Sequence, residues 1–196
     1  MKVLVMGGAG FIGSHVVDRL VEEGHQAVVV DNMATGSRRN VNRAANLYKT
    51  DIQGWRLERI FRNERPNVVL HLAAQVNVRR SVEDPVFDAQ VNVLGTMNVL
   101  QQAVRHGVRK VVFSSSGGAI YGEQEQGPAP ESHATNPMSP YGISKLCGEH
   151  YLFYFQRLSG IQVVSLRHAN VYGPRQDPDG ETGVVATFIR QMLNNQ

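Results

Sequence analysis

Tyr141 and Lys145 stand four residues apart in Ser139-Pro140-Tyr141-Gly142-Ile143-Ser144-Lys145. On a helix they share one face. An ammonium beside a phenol favours the phenolate and draws the phenol below its usual pKa of about 10, giving a base usable near neutral pH. Ser139 suits a helix N-cap and Pro140 the first helical position. Upstream, Ser114-Ser115-Ser116 closes an apolar strand pattern running from Lys110 to Phe113. A serine hydroxyl there can hydrogen-bond the substrate oxygen whose proton Tyr141 removes. A tyrosine and a lysine at this spacing also suit an ordinary amphipathic helix, with the tyrosine buried and the lysine solvated. The serines could equally mark a strand breaking into a loop. The elements around them must decide.

The N-terminus supplies the context. Val3 to Met6 is a buried-strand pattern, followed at once by Gly7-Gly8-Ala9-Gly10-Phe11-Ile12-Gly13. Phe11, Ile12, Val16, Val17 and Leu20 then recur at helical spacing. Two glycine spacings fit, Gly8-x-Gly10-x-x-Gly13 and Gly7-x-x-Gly10-x-x-Gly13. Between a strand and a helix, such glycines let the backbone approach a pyrophosphate, with the free N–H groups of the helix start pointing at it. A second strand, from Gln26, ends at Asp31, eighteen residues beyond Gly13. This is close to the spacing of the acid that receives an adenosine ribose. An acid there repels a 2′-phosphate, so NAD is expected rather than NADP. Arg38 and Arg39 lie further along, in a solvated-loop pattern.

Strands are expected at 2–6, 26–30, 46–49, 68–71, 109–114 and 161–166, and helices at 11–23, 54–63, 85–106, 139–158 and 184–194. This alternation predicts an α/β fold, a Rossmann-type doubly wound parallel sheet covered on both faces. Its ligands would sit outside the carboxyl ends of the strands. The 117–138 segment, rich in Gly, Pro and Glu, is a long loop of the kind that carries function. The 196 residues are 42% hydrophobic and 19% charged, with net charge +3, as in a globular domain. No basic run suggests nucleic acid, no apolar stretch is long enough to span a membrane, and no signal peptide is expected. The one cysteine, Cys147, reads as a buried structural thiol in a cytoplasmic protein. The seven histidines show no metal-ligand spacing, so no metal is expected.

Further segments extend the pattern along the chain. They are Asp31-Asn-Met-Ala-Thr-Gly36, Asp51-Ile52, His71-Leu-Ala-Ala-Gln75, Val91-Asn92-Val-Leu-Gly-Thr96, Ser114 to Gly122 and Leu166-Arg-His-Ala-Asn-Val-Tyr-Gly-Pro174. With the glycine turn and the Tyr141–Lys145 segment, they resemble the extended short-chain dehydrogenase/reductase family, and within it the UDP-glucose 4-epimerases. The matching segments cover nearly the whole chain in family order.

The resemblance implies a site. Gly7, Gly10, Phe11, Ile12 and Gly13 would meet the pyrophosphate of NAD. Asp31, Asn32, Met33, Ala34, Thr35 and Gly36 would hold the adenosine ribose, and Asp51 and Ile52 would flank the adenine. Leu72, Ala73, Ala74, Gln75 and Val76 would pass beside the cofactor's ribose and phosphates, with Asn92 under the active site and Ser114 beside the cofactor. Ser116, Tyr141 and Lys145 would be the catalytic set, with Ser115 an alternative to Ser116. Lys145 would also grip the nicotinamide ribose. Ala169 would lie near the nicotinamide. Asn170, with Ser116 and Tyr141, would meet a UDP-hexose.

The implied activity is reversible epimerisation at the sugar's C4 through a 4-keto intermediate. Alternatives are another NAD-dependent nucleotide-sugar enzyme (decarboxylase, uronate epimerase or reductase) and a non-catalytic NAD-binding module. His168 stands where the family usually has tyrosine. Gly117 and Gly118 occupy the positions of the acidic pair of the sugar dehydratases, which argues against water elimination. Family members run longer, so residues 1–175 are expected to form the NAD-binding domain and 176–196 the start of a substrate lobe cut short. A homodimer is expected through helices 85–106 and 139–158. Their apolar positions, Val91, Val93, Leu94, Met97, Val99 and Leu100 on one and Leu146, Tyr151, Leu152, Phe153, Tyr154 and Phe155 on the other, exceed one sheet-facing stripe.

Overall fold

The computed structural model describes residues 1–123, 127–177 and 184–194. Six strands, β1 (Lys2–Met6), β2 (Gln26–Asp31), β3 (Asn46–Lys49), β4 (Val68–His71), β5 (Lys110–Ser116) and β6 (Gln162–His168), form one parallel sheet in the order β3-β2-β1-β4-β5-β6. The chain crosses from one half to the other between β1 and β4. That switch point opens a crevice at the carboxyl ends of the strands. The expected fold class is borne out.

Strand alternation splits the core into two layers. Val3 and Val5 of β1, with Ala27 and Val29 of β2, pack against Val17 of α1 (Phe11–Glu22). Leu4, Met6, Val28 and Val30 point the other way. They join Leu57 and Phe61 of α2 (Arg56–Glu64), Val99 and Leu100 of α5 (Gly95–Arg105), and Leu152 and Phe155 of α7 (Pro140–Ser159). Gly148 brings α7 down onto β5: a Cβ there would lie 2.7 Å from the Phe113 ring.

Several expected boundaries need correction. β5 and β6 each run two residues further, to Ser116 and His168, because they stay paired through Ser116↔His168. The expected 85–106 helix is α4 (Pro85–Ala89), a π-helical turn at Gln90–Leu94, and then α5. Asn92 sits in the wide turn, its side chain bonded to the Gln75 backbone. Two short helices, α3 (Val78–Glu83) and α6 (Gly117–Ile120), and a 3₁₀ turn at Arg38–Asn40 were not legible from periodicity. They are too short to show a period. The long loop therefore opens with α6, and its residues 124–126 lie outside the described ones.

The last helix, α8 (Val184–Leu193), buries none of its residues. Of the expected 176–196 segment, residues 178–183 and 195–196 lie outside the described ones. Cys147 is half-buried rather than buried, and burial pushes its thiol pKa up. No described helix is long and apolar enough to cross a membrane. Among the described residues, no group of three or more His, Cys, Asp or Glu is placed to hold a metal ion.

Candidate functional site

The turn between β1 and α1 is built around its glycines. Gly7 has φ 79°, and a Cβ on Gly13 would lie 2.1 Å from the Gly7 carbonyl oxygen. Only residues without side chains allow the helix to start this close to the strand. A Cβ on Gly10 would meet only that same oxygen, at 3.4 Å, so its outer side is open. The first turn of α1 carries no side-chain cap and no acid. Its N–H groups, Phe11 and Ile12 among them, are thus open to an anion at the crevice.

Asp31 ends β2 beside this turn. One carboxylate oxygen accepts the Ala9 N–H at 2.9 Å and the other the Met33 N–H at 2.8 Å. The acid is therefore already a structural tie, which the strand pattern did not reveal. Met33 takes the left-handed conformation, φ 65°. Asn32 Nδ2 donates to Asp51 at 2.8 Å, joining the 31–36 loop to the segment after β3. Ile52 is buried, and its carbonyl accepts from Asn98 at 2.6 Å. The two segments expected around an adenosine are thus brought together. Leu72 to Gln75 leave β4 directly against Gly7, whose Cβ would lie 2.7 Å from the Ala73 nitrogen.

Across the crevice, α7 presents Tyr141 and Lys145. The Ser139 hydroxyl caps it by accepting the Gly142 N–H at 3.1 Å, and Pro140 occupies its first turn. Lys145 is 4% exposed and Tyr141 only half-buried, the reverse of an ordinary amphipathic helix. The ammonium donates to the Ser114 carbonyl at 2.8 Å and lies 5.7 Å from the Tyr141 ring centre and 5.0 Å from that of Phe113. Burial lowers the Lys145 pKa to about 8, against an opposing pull from Asp88. Burial, and then the Lys145 charge, lower His71 to about 3, and the same two causes lower His168. Both imidazoles are held neutral.

The serine run is sorted by strand alternation. Ser115 points into the core with Phe113, and its hydroxyl donates to Glu149 at 2.5 Å. Ser116 is the half-buried last residue of β5, and its hydroxyl makes no cap bond to α6. Ser115 is thereby committed elsewhere, and Ser114 and Ser116 lie on the other face of β5. Beyond β6, Ala169 and Asn170 are exposed. The chain then returns to α1, where Pro174 O accepts from His15 Nε2 at 2.8 Å and Arg175 pairs with Asp18 at 2.7 Å.

Two buried carboxylates behind the site escaped sequence reasoning. Glu149 is gripped through both oxygens by Arg167, with Nη2 to Oε2 at 2.8 Å. Arg167 also donates to the Tyr121 hydroxyl at 2.8 Å and the Glu131 carbonyl at 3.1 Å. Burial pushes the Glu149 carboxyl up, but the hydrogen bonds from Arg167 and Ser115 hold it below the usual value. Asp88 is fully buried and accepts from Gln75, Asn92 and Ser144. Asp88 and Asn92 at i and i+4 were the available signal.

A parallel sheet in this order, with a glycine turn on one side of the switch point and Ser116, Tyr141 and Lys145 on the other, defines a short-chain dehydrogenase/reductase-type protein. Residues 3–196 match the family model described as the NAD dependent epimerase/dehydratase family, and the chain belongs to that family. It is 50% identical over 194 residues to a putative UDP-glucose 4-epimerase of Methanocaldococcus jannaschii, covering 99% of this chain and 64% of that protein. It is 46% identical to a UDP-glucose 4-epimerase of Mycolicibacterium smegmatis, covering 98% of this chain and 63% of that one. The crystal structure of the Thermotoga maritima UDP-glucose 4-epimerase with UDP-glucose superposes with a TM-score of 0.97 at 50% identity, over 100% of this chain and 64% of that one. The Thermus thermophilus enzyme in complex with NAD gives 0.96 at 50% identity, over 100% of this chain and 63% of that one. The chain thus spans just under two thirds of the length of these relatives.

Proposed function

We propose that this chain is the cofactor-binding and catalytic part of an NAD-dependent UDP-hexose 4-epimerase. The observation that carries the proposal is the Tyr141–Lys145 pair, its ammonium buried, set across the crevice from an open glycine turn. The residues present fit a dinucleotide: Gly10 leaves open space where a side chain would stand, and the α1 N-terminus lacks a cap. Gly7, Gly10, Phe11, Ile12 and Gly13 would hold its pyrophosphate and Asp31 to Gly36 one ribose. Asp51 and Ile52 would flank the adenine. Leu72 to Val76, Asn92, Ser114 and Ala169 would line the remainder.

When bound, NAD supplies a reversible hydride acceptor for the sugar's C4. The chain's own residues handle the proton. Tyr141, as phenolate, takes it from the 4-hydroxyl and later returns it. Lys145 favours that phenolate by its charge. Ser116 donates to the 4-oxygen, and Asn170 meets the diphosphate.

Residues 1–175 form the proposed cofactor domain and 176–196 the beginning of a substrate lobe. The proposed setting is the cytoplasm, where the single Cys147 stays reduced. The proposed assembly is a homodimer through α4–α5 and α7. Its support is that Leu94, Phe153, Tyr154 and Leu158 are 57%, 49%, 56% and 63% exposed, whereas Val99, Leu100, Leu152 and Phe155 belong to the core. A coupled UDP-galactose assay of the whole protein, beside NAD titration of this chain, tests the proposal. NAD binding and turnover are expected. A whole protein that binds NAD and turns over no UDP-hexose would overturn the substrate assignment.

A further inference from the structure

Asp88 is a carboxylate with 0% exposure, 56 residues from its partner on α7, and the mechanism above does not use it. Burying a charge is costly unless it is paired and its lone pairs are filled. Asp88 fills them with three donors from three segments of the site. Oδ1 accepts from Gln75 Nε2 at 2.9 Å and Asn92 Nδ2 at 3.0 Å, and Oδ2 accepts from Ser144 Oγ at 2.6 Å. Asn92 in turn holds both backbone groups of Gln75, accepting its N–H at 2.8 Å and donating to its carbonyl at 2.9 Å. The loop after β4, the π-helical turn and the residue preceding Lys145 therefore meet at one carboxylate.

The surroundings of Lys145 show what that charge does. His71 faces the lysine from β4 and His168 from β6, and both are held neutral. The Phe113 ring and the Ser114 carbonyl supply dipoles but no full charge, and Tyr141 adds one only in its phenolate form. Glu149 follows one turn later on α7 and is committed to Arg167. Ser144, the residue before Lys145, donates to Asp88 at 2.6 Å, which sets that carboxylate against the Lys145 turn of α7, where its charge opposes the effect of burial on the ammonium.

We propose that Asp88 is a positioning residue that keeps the Lys145 ammonium charged in the interior and ties the 72–77 loop to the helix carrying Tyr141 and Lys145. The counter-charge arrives through the fold rather than by direct contact, so the lysine's donors stay directed at Ser114 and the crevice. The functional meaning rests on the proposed role of Lys145 in the cofactor site. The pairing itself does not.

The test uses this chain, labelled with carbon-13, free and with NAD. The Lys145 Cε resonance, identified by its loss in Lys145→Met, should titrate near pH 8 in the unmodified protein. In Asp88→Asn, which keeps the shape and removes the charge, the midpoint should fall by about one pH unit. An unchanged midpoint overturns the proposal. A purely structural Asp88 would lower the melting temperature and leave that midpoint alone. If Asp88→Asn does not fold, the unmodified protein still decides: its Asp88 carboxyl carbon should shift at the Lys145 midpoint and no longer do so in Lys145→Met. A carboxyl signal that ignores the lysine titration overturns the pairing. In the NAD arm, affinity should weaken with rising pH at the Lys145 midpoint of each protein. A chain that binds no NAD at any pH contradicts the cofactor proposal, while the free-protein titrations still judge the pairing.

Discussion

Lys145 is more deeply buried than Tyr141: its ammonium lies 5.7 Å from the tyrosine ring centre, and the residue is only 4% exposed. Its folded pKa of about 8 lies below the 10.5 of a free lysine. Between these values the unfolded chain binds more protons, so stability should rise with pH across that window. Below about 8 the buried ammonium weakens the fold in full, by up to about 3 kcal/mol. Above 10.5 both states are neutral and the penalty is gone. Urea denaturation from pH 7 upward should show this rise in the unmodified chain and a flatter profile in Lys145→Met. Identical profiles would assign the effect to another group.

Tyr141→Phe in the whole protein should lower turnover by about 10²–10⁴-fold, the usual cost of a lost general base. NAD affinity should stay nearly unchanged, since only the hydroxyl is removed. Steady-state rates beside NAD titration separate the two. Near-normal turnover would remove Tyr141 from the mechanism.

Asp31 ties two backbone amides and is proposed to receive the NAD ribose, and its variants should show both. Asp31→Ala orphans the Ala9 and Met33 N–H groups and should cost about 1–3 kcal/mol of stability. It should also weaken NAD binding and relax discrimination against NADP. Asp31→Asn keeps an acceptor for one of the two amides and should cost less. Calorimetric titration with both cofactors reads the selectivity. Equal affinity of the unmodified chain for NAD and NADP would contradict the assignment.

Glu149→Gln leaves Arg167 without its counter-charge and should cost about 2–3 kcal/mol, less than a fully dry pair because Arg167 is 23% exposed. The Glu149 carboxyl is depressed, so its contribution is present above the ordinary carboxylate value of 4.5 and is lost as pH falls through the folded value. Acid unfolding should therefore be less steep in Glu149→Gln than in the unmodified chain. Hydrogen exchange at 117–123 and 127–133 should speed up in the variant, because Arg167 also holds Tyr121 and Glu131.

Tyr154→Arg should turn a proposed dimer into a monomer, since Tyr154 is 56% exposed beside Phe153 and Leu158 and lies outside the core. Sedimentation at tens of micromolar, above the roughly 1 μM affinity of a modest interface, reads the change. An unmodified chain that is already monomeric there would count against the dimer. Folding stability should change little, by about 0.5 kcal/mol or less.

The sequence by itself determined the order of the elements, the glycine turn, the acid closing β2 and the sharing of one helix face by Tyr141 and Lys145. These features are local: a period of two or 3.6, a cap, or a spacing within one element reads directly from neighbouring residues. The tertiary structure decided what depends on distance across the chain. Strand alternation separates Ser115 from Ser114 and Ser116, but which face turns to the core is decided only when α7 settles on β5 and Glu149 claims Ser115. The periodicity of 85–106 suggested one uninterrupted helix, yet the contact with Gln75 belongs to a π-helical turn at Asn92. Asp31 showed its charge in the sequence but not its two amide partners. Asp88 with Ser144, and Glu149 with Arg167, are 56 and 18 residues apart and carry no joint pattern. A buried carboxylate is tolerable only where packing brings donors to it, and that condition exists only once the sheet and its helices have closed.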